Sequence, residues 1–360
     1  MRERSMPTVK EALLQASSLL LRAMEERERI AGPAETAEAE ARDRQALAQE
    51  ARADAEALIM HVLGWDKTRL LLDGGAPFPD RLLGRWREAV RRRAAGEPVQ
   101  YITGEQAFCG LTLEVGPAVL IPRPETELLV EAVAKRVRAL FAPAGGGEGT
   151  ADGPRRHASG RSGRPPLLAD VGTGSGAIAI ALARLLPGWR VAACDLSPEA
   201  LDVARRNAAR AEREEQGAPA GRKAASGGLR DRLLFLQGDL LEPLIVRGER
   251  VDVLVSNPPY VPTGDILRLQ REVRDHEPRL ALDGGPDGLA AYRRIVRQIG
   301  RLPGIPRLVA FEVGCGQAGA VAALLAAAGW WTNFDIVRDY AGIERHVLAW
   351  RPQDARPFQN

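Results

Sequence analysis

Cysteine and histidine are scarce in this chain: three cysteines and four histidines in 360 residues. Cys109, Cys194 and Cys315 are odd in number and far apart, and no CxxC or Cys/His cluster occurs. A disulfide framework is therefore not expected, and no metal-ligand set is present. Free thiols fit a reducing cytoplasm. Long apolar runs are also missing, so no membrane span is expected. The opening MRERSMPTVKEALLQASSLLLRAM is broken by Lys10, Glu11, Gln15 and Arg22, which makes it an amphipathic helix and not a signal peptide. A large excess of one charge is lacking as well. Fifty basic residues face 47 acidic ones, for a net charge of +3, and that balance gives no reason to expect a nucleic-acid partner.

What is present is an apolar share of 45%, enough for a real core. Residues 1–99 are expected to form a small helical domain. ARADAEALIMHVLG sets Ala55, Leu58, Ile59, Val62 and Leu63 at helical spacing, and Gly64 suits the helix end. DRLLGRWREAVRRRAAG repeats the pattern with Leu82, Leu83, Trp86 and Val90. Residues 25–48, rich in Ala, Glu and Arg, are expected as an exposed helical insertion. Two short β-prone runs in 100–117 (YITGEQAFCGLTLEV at its heart) suggest a hairpin linker, and AVLIP a strand that turns into a helix at PRPETE. There Pro124 suits a helix start, and Glu125 and Glu127 suit the positive end of its dipole.

From 118 to 360 the chain alternates. PLLADVG, WRVAACD, RLLFLQGD, VDVLVS and RLVAFEVG read as buried strands, separated by helical stretches; WTNFDIVRD and RHVLAW close the chain. The fold class is therefore α/β: a doubly wound, mostly parallel sheet beside the helical domain. Two low-complexity tracts, 142–166 and 213–231, are expected to be disordered insertions.

The first strand runs into a glycine loop, Gly172-Thr173-Gly174-Ser175-Gly176, that opens a helix. Glycines permit the tight turn and let a ligand touch backbone, and the helix start offers free N–H groups. Asp195 follows at the end of the second strand, where such folds bind ribose hydroxyls. Gly172, Gly174 and Ala177 also satisfy the dinucleotide pattern, so the loop points to an adenosyl cofactor without saying which.

The fourth strand ends in Asn257-Pro258-Pro259-Tyr260. In a sheet ordered 3-2-1-4-5 that strand neighbours the first, so this tetrapeptide opens beside the glycine loop. Asn257 offers a side-chain carbonyl, and a proline offers a backbone carbonyl without an N–H of its own. Two fixed acceptors can hold both protons of a planar –NH2 group, and Tyr260 can stack on its plane. Such a clamp aims the nitrogen at an electrophile. With S-adenosylmethionine that electrophile is the sulfonium methyl, and transfer proceeds by alignment without metal or covalent intermediate.

Taken with PVQYITGEQAFCGLTLEVGPAVLIPRPETELLVE, DVGTGSGAIAIALA, SNPPYV, HEPRLALDGGPDGL and FEVGCGQA, the sequence resembles the protein-(glutamine-N5) methyltransferases (HemK/PrmC family) that modify peptide chain release factors. The resemblance implies a Rossmann-like, class I methyltransferase using S-adenosylmethionine, acting on the glutamine of a Gly-Gly-Gln loop. It implies that Asn257, Pro258, Pro259 and Tyr260 hold that amide, and that Gly172 to Gly176, Asp195, Asp239, Leu240 and also Asn257 contact the cofactor. Asp239 and Leu240 fall where the family often has an acidic residue followed by Trp against the adenine; here an aliphatic side chain stands in its place. By the same resemblance Arg123 and Glu125 lie near the glutamine pocket. Phe108 is a candidate wall of the peptide channel, beside its plainer reading as a hairpin core residue. The helical domain is expected to grip the protein substrate, or else to act as a stabilising cap; the protein is expected to be a monomer. The connection Pro262–Asp287 is expected to be a lid or peptide-binding loop, with His276, Glu277 and Arg279 structural. Glu312 is expected to support the site. Three other readings remain open: an adenine-N6 methyltransferase, which shares NPPY, a nicotinamide oxidoreductase, and a silent binding module.

Overall fold

The computed structural model describes residues 6–31, 37–142, 164–217 and 228–352. It divides into two units: Met1–Gly104 with Gln270–His276, and Glu105–Leu269 with Glu277–Asn360.

The first unit is helical: α1 (Val9–Ala31), α2 (Ala37–Leu63), α3 (Lys67–Asp73), α4 (Leu83–Ala94) and α5 (Val99–Thr103). Val9, Ala12, Ala16, Leu20 and Met24 bury one stripe of α1 against Ala51, Ala55, Leu58, Ile59 and Val62 of α2. The alanines let the two helices approach closely, and Phe78, Trp86 and Val90 complete the core. Gly64 ends α2 at φ +65°, and Asp66 caps α3 by accepting from the Arg69 N–H at 2.7 Å. Within the described residues, 25–48 extends α1 and α2 instead of forming a separate element. Arg93 is buried among carboxylates, pairing with Asp54, with Glu50 at 3.2 Å and with Glu272. Glu272 belongs to the later segment Gln270–His276, which is thereby part of this unit's polar core.

Two strand expectations need correction. Tyr101 and Ile102 lie in α5, not in a strand: Pro98 starts a turn of helix and Gly104, at φ +78°, ends it. Ala118–Ile121 is irregular coil although Val119 and Ile121 are buried. Burial of a short apolar run does not specify strand geometry.

The second unit opens with a hairpin, β1 (Glu105–Phe108) and β2 (Leu111–Glu114), joined at Cys109-Gly110, both with positive φ. α6 (Pro124–Leu140) follows. Then come β3 (Leu167–Val171), α7 (Ala177–Leu185), β4 (Arg190–Asp195), α8 (Pro198–Gly217), β5 (Leu233–Gln237), α9 (Glu242–Val246) and β6 (Val253–Ser256). The chain passes through α10 (Arg271–His276), which belongs to the first unit, and then α11 (Arg279–Leu282), α12 (Ala290–Ile299), β7 (Leu308–Glu312), α13 (Ala318–Ala327), β8 (Asn333–Arg338) and β9 (Glu344–Trp350). Residues 213–217 of the expected disordered tract are the last turn of α8; 143–163 and 218–227 lie outside the described residues.

The seven strands are ordered β5-β4-β3-β6-β7-β9-β8. The first five are parallel and the last two join antiparallel. This is the doubly wound sheet expected from the alternation. Side chains of period two feed two cores: Leu168 joins Val130, Val133 and Ile180 on one face, while Leu167, Ala169 and Val171 join Tyr292, Ile295 and Val321 on the other. The chain order reverses at β3, between β4 and β6, which places the ligand crevice at the carboxyl ends of those strands.

Candidate active site

Strand register builds the site. Cys194, Val171, Ser256 and Phe311 form one row across β4, β3, β6 and β7. One residue further along each strand therefore aligns Asp195, Gly172, Asn257 and Glu312 at the carboxyl edge, and Glu312 faces His346 on antiparallel β9. Neighbouring strands are about 5 Å apart, so Asn257 stands directly between the glycine loop and Glu312.

The loop is tied down by its own backbone. Gly172, Gly174 and Gly176 take φ of +72°, +55° and +82°, conformations that side chains disfavour. The Gly172 and Thr173 N–H groups donate to the Cys194 carbonyl, and Gly174 N–H donates to Asp195 Oδ2 at 2.8 Å. Asp195 Oδ1 accepts from Ser197 N–H at 2.9 Å, while burial pushes its pKa upward. The Thr173 and Ser175 side chains are buried, so their contribution to the cradle is backbone.

Sequence reasoning did not single out Asp170. It is 0% exposed at the end of β3. Its Oδ2 accepts from Thr173 Oγ1 at 2.5 Å and from Ala179 N–H at 3.1 Å, which places a carboxyl inside the first turn of α7. Burial raises its pKa to about 7, and its Oδ1 has no hydrogen-bond partner. The one sequence signal was an acidic residue inside an otherwise apolar strand.

Asn257 has a defined orientation. Its Nδ2 donates to Glu312 Oε1 at 2.9 Å, with Thr126 Oγ1 at 3.4 Å. The Thr126 hydroxyl in turn donates to Glu312 Oε2 at 2.7 Å. Glu312 is 3% exposed, and burial raises its pKa to about 7. With the amide nitrogen committed inward, Asn257 Oδ1 is left as an outward acceptor. Thr126 is a second residue that sequence reasoning missed; it hides inside PRPETE, where the charged neighbours draw the eye.

Behind the tetrapeptide sits a backbone buttress. Val261 N–H donates to the Leu282 carbonyl at 2.9 Å and Gly284 N–H to the Val261 carbonyl at 2.8 Å. A Cβ on Gly284 would lie 2.8 Å from the Pro259 carbonyl oxygen, and one on Gly288 2.3 Å from that of Tyr260. Gln317 Nε2 donates to the Tyr260 carbonyl at 2.9 Å. The return leg of the Pro262–Asp287 connection thus braces the turn from behind. The Tyr260 ring lies against Gly314, and burial pushes its phenol up to about 12, so it stays neutral.

The other expected site residues divide. Glu125 stands close enough to Glu312 and Tyr260 to disfavour their ionisation. Arg123 pairs with the buried Glu277 at 2.5 Å and so fastens the PRPETE turn to the brace. Asp239 pairs with Arg294 of α12. Leu240 adopts φ +56° and packs partly buried beside the second core. Phe108 is 1% exposed in the core with Leu111 and Leu113. The channel-wall reading of Phe108 is therefore corrected: its ring is consumed by hairpin packing.

Asp195 and Glu125 are the partly exposed carboxyl groups at this edge, whereas Asp170 and Glu312 are buried behind it. Such a site suits a ligand carrying hydroxyls and positive charge.

Residues 36–104 match the PrmC N-terminal domain family, and residues 168–276 match a methyltransferase domain family. The release factor glutamine methyltransferase of Moorella thermoacetica is 42% identical over 303 residues, 84% of this chain and 92% of that protein. Its namesake in Geobacter sulfurreducens is 38% identical over 83% of this chain and 89% of that protein. The one in Bacillus subtilis is 36% identical over 82% and 90%. Among solved structures, a human methyltransferase 10 domain containing protein aligns with a TM-score of 0.42 and 16% identity, over 75% of this chain and 98% of that one.

Proposed function

Since the chain belongs to the release factor glutamine methyltransferase family, we propose that it transfers a methyl group from S-adenosylmethionine to the side-chain nitrogen of a release-factor glutamine, the one in the Gly-Gly-Gln motif. The observation that carries this reading is the committed orientation of Asn257, whose Nδ2 is held by Glu312 at 2.9 Å. An acceptor-only face made of Asn257 Oδ1 and the Pro258 carbonyl suits one substrate group: a planar –NH2.

The residues present fit the cofactor. The glycine loop offers close backbone approach, Asp195 a carboxylate for ribose hydroxyls, and the partly exposed carboxyl groups of Asp195 and Glu125 favour its sulfonium and ammonium charges. When bound, the cofactor supplies an electrophilic methyl.

Asn257 Oδ1 and the Pro258 carbonyl accept the two amide protons and fix the glutamine nitrogen. Tyr260 covers the flat face of the amide. Both acceptors point at the nitrogen where positive charge grows as the new N–C bond forms, and they stabilise that charge. The same hydrogen bonds hold the two protons, one of which leaves to water once the nitrogen carries the methyl. The rest is alignment: the strand register sets the clamp one strand from the glycine loop.

The helical unit recognises the protein beyond the glutamine. An intact release factor should accordingly have a kcat/KM at least about 100-fold above that of a short Gly-Gly-Gln peptide. No helix among the described residues is long and apolar enough to cross a membrane, and we assign the enzyme to the cytoplasm with its substrate.

The test is label transfer. The protein is incubated with methyl-labelled S-adenosylmethionine and a release factor, and the label is mapped by peptide mass spectrometry. The expected result is methyl on the Gly-Gly-Gln glutamine alone, absent when that glutamine is changed to Ala. Label in DNA or RNA instead would mean that the clamp holds adenine.

A further inference from the structure

We propose that Glu312 is a positioning residue for methyl transfer: its ionised carboxylate dictates which way the Asn257 amide faces. The inference rests on the function proposed above. An asparagine amide is nearly symmetric in shape, so packing alone does not choose between its two orientations. Its neighbours do. An ionised carboxylate only accepts, so Asn257 must turn its nitrogen towards Glu312 Oε1 at 2.9 Å. Thr126 reinforces the choice, because its hydroxyl proton is spent on Glu312 Oε2 and its oxygen faces Asn257 Nδ2. Glu312 is itself fixed from behind: the Tyr292 hydroxyl donates to its main-chain carbonyl at 2.7 Å.

Protonation removes the instruction. A protonated Glu312 gains an O–H donor that can bind Asn257 Oδ1, the atom the substrate amide needs. The transfer step therefore requires the ionised form. The groups facing Glu312 come from every packed element: Thr126 and Glu125 from α6, Asn257 and Tyr260 after β6, Tyr292 from α12, Arg345 and His346 from β9. His346 Nε2 lies 3.9 Å from Oε2, but burial drops its pKa to about 4, so it is a neutral neighbour near physiological pH. Burial and Glu125 push Glu312 up to about 7 against the hydrogen bond from Thr126. The rate should thus be full above that pH and fall as the pH drops through it.

Two readouts test this. The first is the Asn257 side-chain 15NH2 signal of the wild-type protein, assigned by its loss in Asn257→Ser and followed against pH. It should titrate near neutrality in the wild type and lose that titration in Glu312→Gln. The second is kcat against pH on a release factor. Glu312→Gln should lower kcat by at least about tenfold, abolish the acid limb, and leave S-adenosylmethionine affinity within about twofold, because the carboxyl acts on Asn257 and not on the cofactor. An Asn257 signal that ignores pH in the wild type would overturn the proposal. So would a Glu312→Gln enzyme with wild-type kcat, or one that keeps the acid limb. If the wild type transfers no methyl to a release factor, the function fails, while the Asn257 titration still decides the orientation claim. That titration needs no variant at position 312 to fold.

Discussion

The Ser256 hydroxyl donates to the carbonyl of Val171 at 2.6 Å. The two residues precede the amide clamp and the glycine loop, so this bond stitches β6 to β3 where nucleophile and electrophile must meet. Ser256→Ala should cost about 0.5–1.5 kcal/mol of stability. It should also lower kcat several-fold, because small misplacements weigh heavily on an alignment-driven transfer. Thermal melting and steady-state kinetics check both, and an unchanged kcat would remove the stitch from the account.

Gly288 holds φ +74° and would carry its Cβ into the Tyr260 carbonyl. Gly288→Ala combines backbone strain with a clash against the brace. The expected loss is about 1–3 kcal/mol of stability together with at least about a tenfold fall in kcat. A variant that is less stable but fully active would show that the brace does not position the clamp.

Asp170 gives a stability signature in pH. Burial raises its folded pKa to about 7, above the 3.8 of a free aspartate. Above the unfolded value, the unfolded chain has released a proton that the fold still holds, so stability falls as pH rises towards 7 and then levels. Glu312 is raised to about 7 and acts in the same direction. Asp170→Asn should flatten this slope without abolishing it, gaining on the wild type between about pH 4 and 7. Melting temperatures of cofactor-free protein across that range are the check; parallel curves would contradict it.

Arg93 is the buried cation of the helical unit, ringed by Glu50, Asp54 and Glu272. Removing it leaves carboxylates crowded without their counter-charge. Arg93→Ala should therefore destabilise the protein by about 3–5 kcal/mol. Urea denaturation measures this, and a loss below about 1 kcal/mol, the worth of an exposed pair, would contradict it.

Much of the fold was legible because its signals are local. The buried strands alternate with helices in the sequence itself, and one topological rule then sets Asn257 beside Gly172. The failures have physical causes. Tyr101 and Ile102 are β-prone in type, but Pro98 and Gly104 enclose a single helical turn. Phe108 follows its plainer reading as a hairpin core residue, and its channel-wall alternative fell because sequence does not report which face of a hairpin packs. Asp170, Thr126 and the Asn257–Glu312 bond were hidden for another reason. Asp170 bonds locally to Thr173 and Ala179, but only the folded loop turns them onto its carboxyl, and Thr126 lies 186 positions from the carboxylate it serves. Tertiary packing brings Thr126, Asn257 and Glu312 together. The brace from Leu282 to Gly288 is not legible in sequence because its glycines serve close backbone contacts to Val261 and Tyr260 that only the fold creates.

The central claim is that Asn257 acts on the substrate amide and not on the cofactor or the fold. Single-turnover methylation of a release factor by Asn257→Ala, measured beside S-adenosylmethionine affinity and melting temperature, tests it most directly. The account predicts a rate at least about 100-fold lower, with affinity close to wild type and a stability loss of no more than about 1–3 kcal/mol from the Glu312 bond given up. A rate within about threefold of wild type, or a loss explained wholly by weaker cofactor binding, would contradict it.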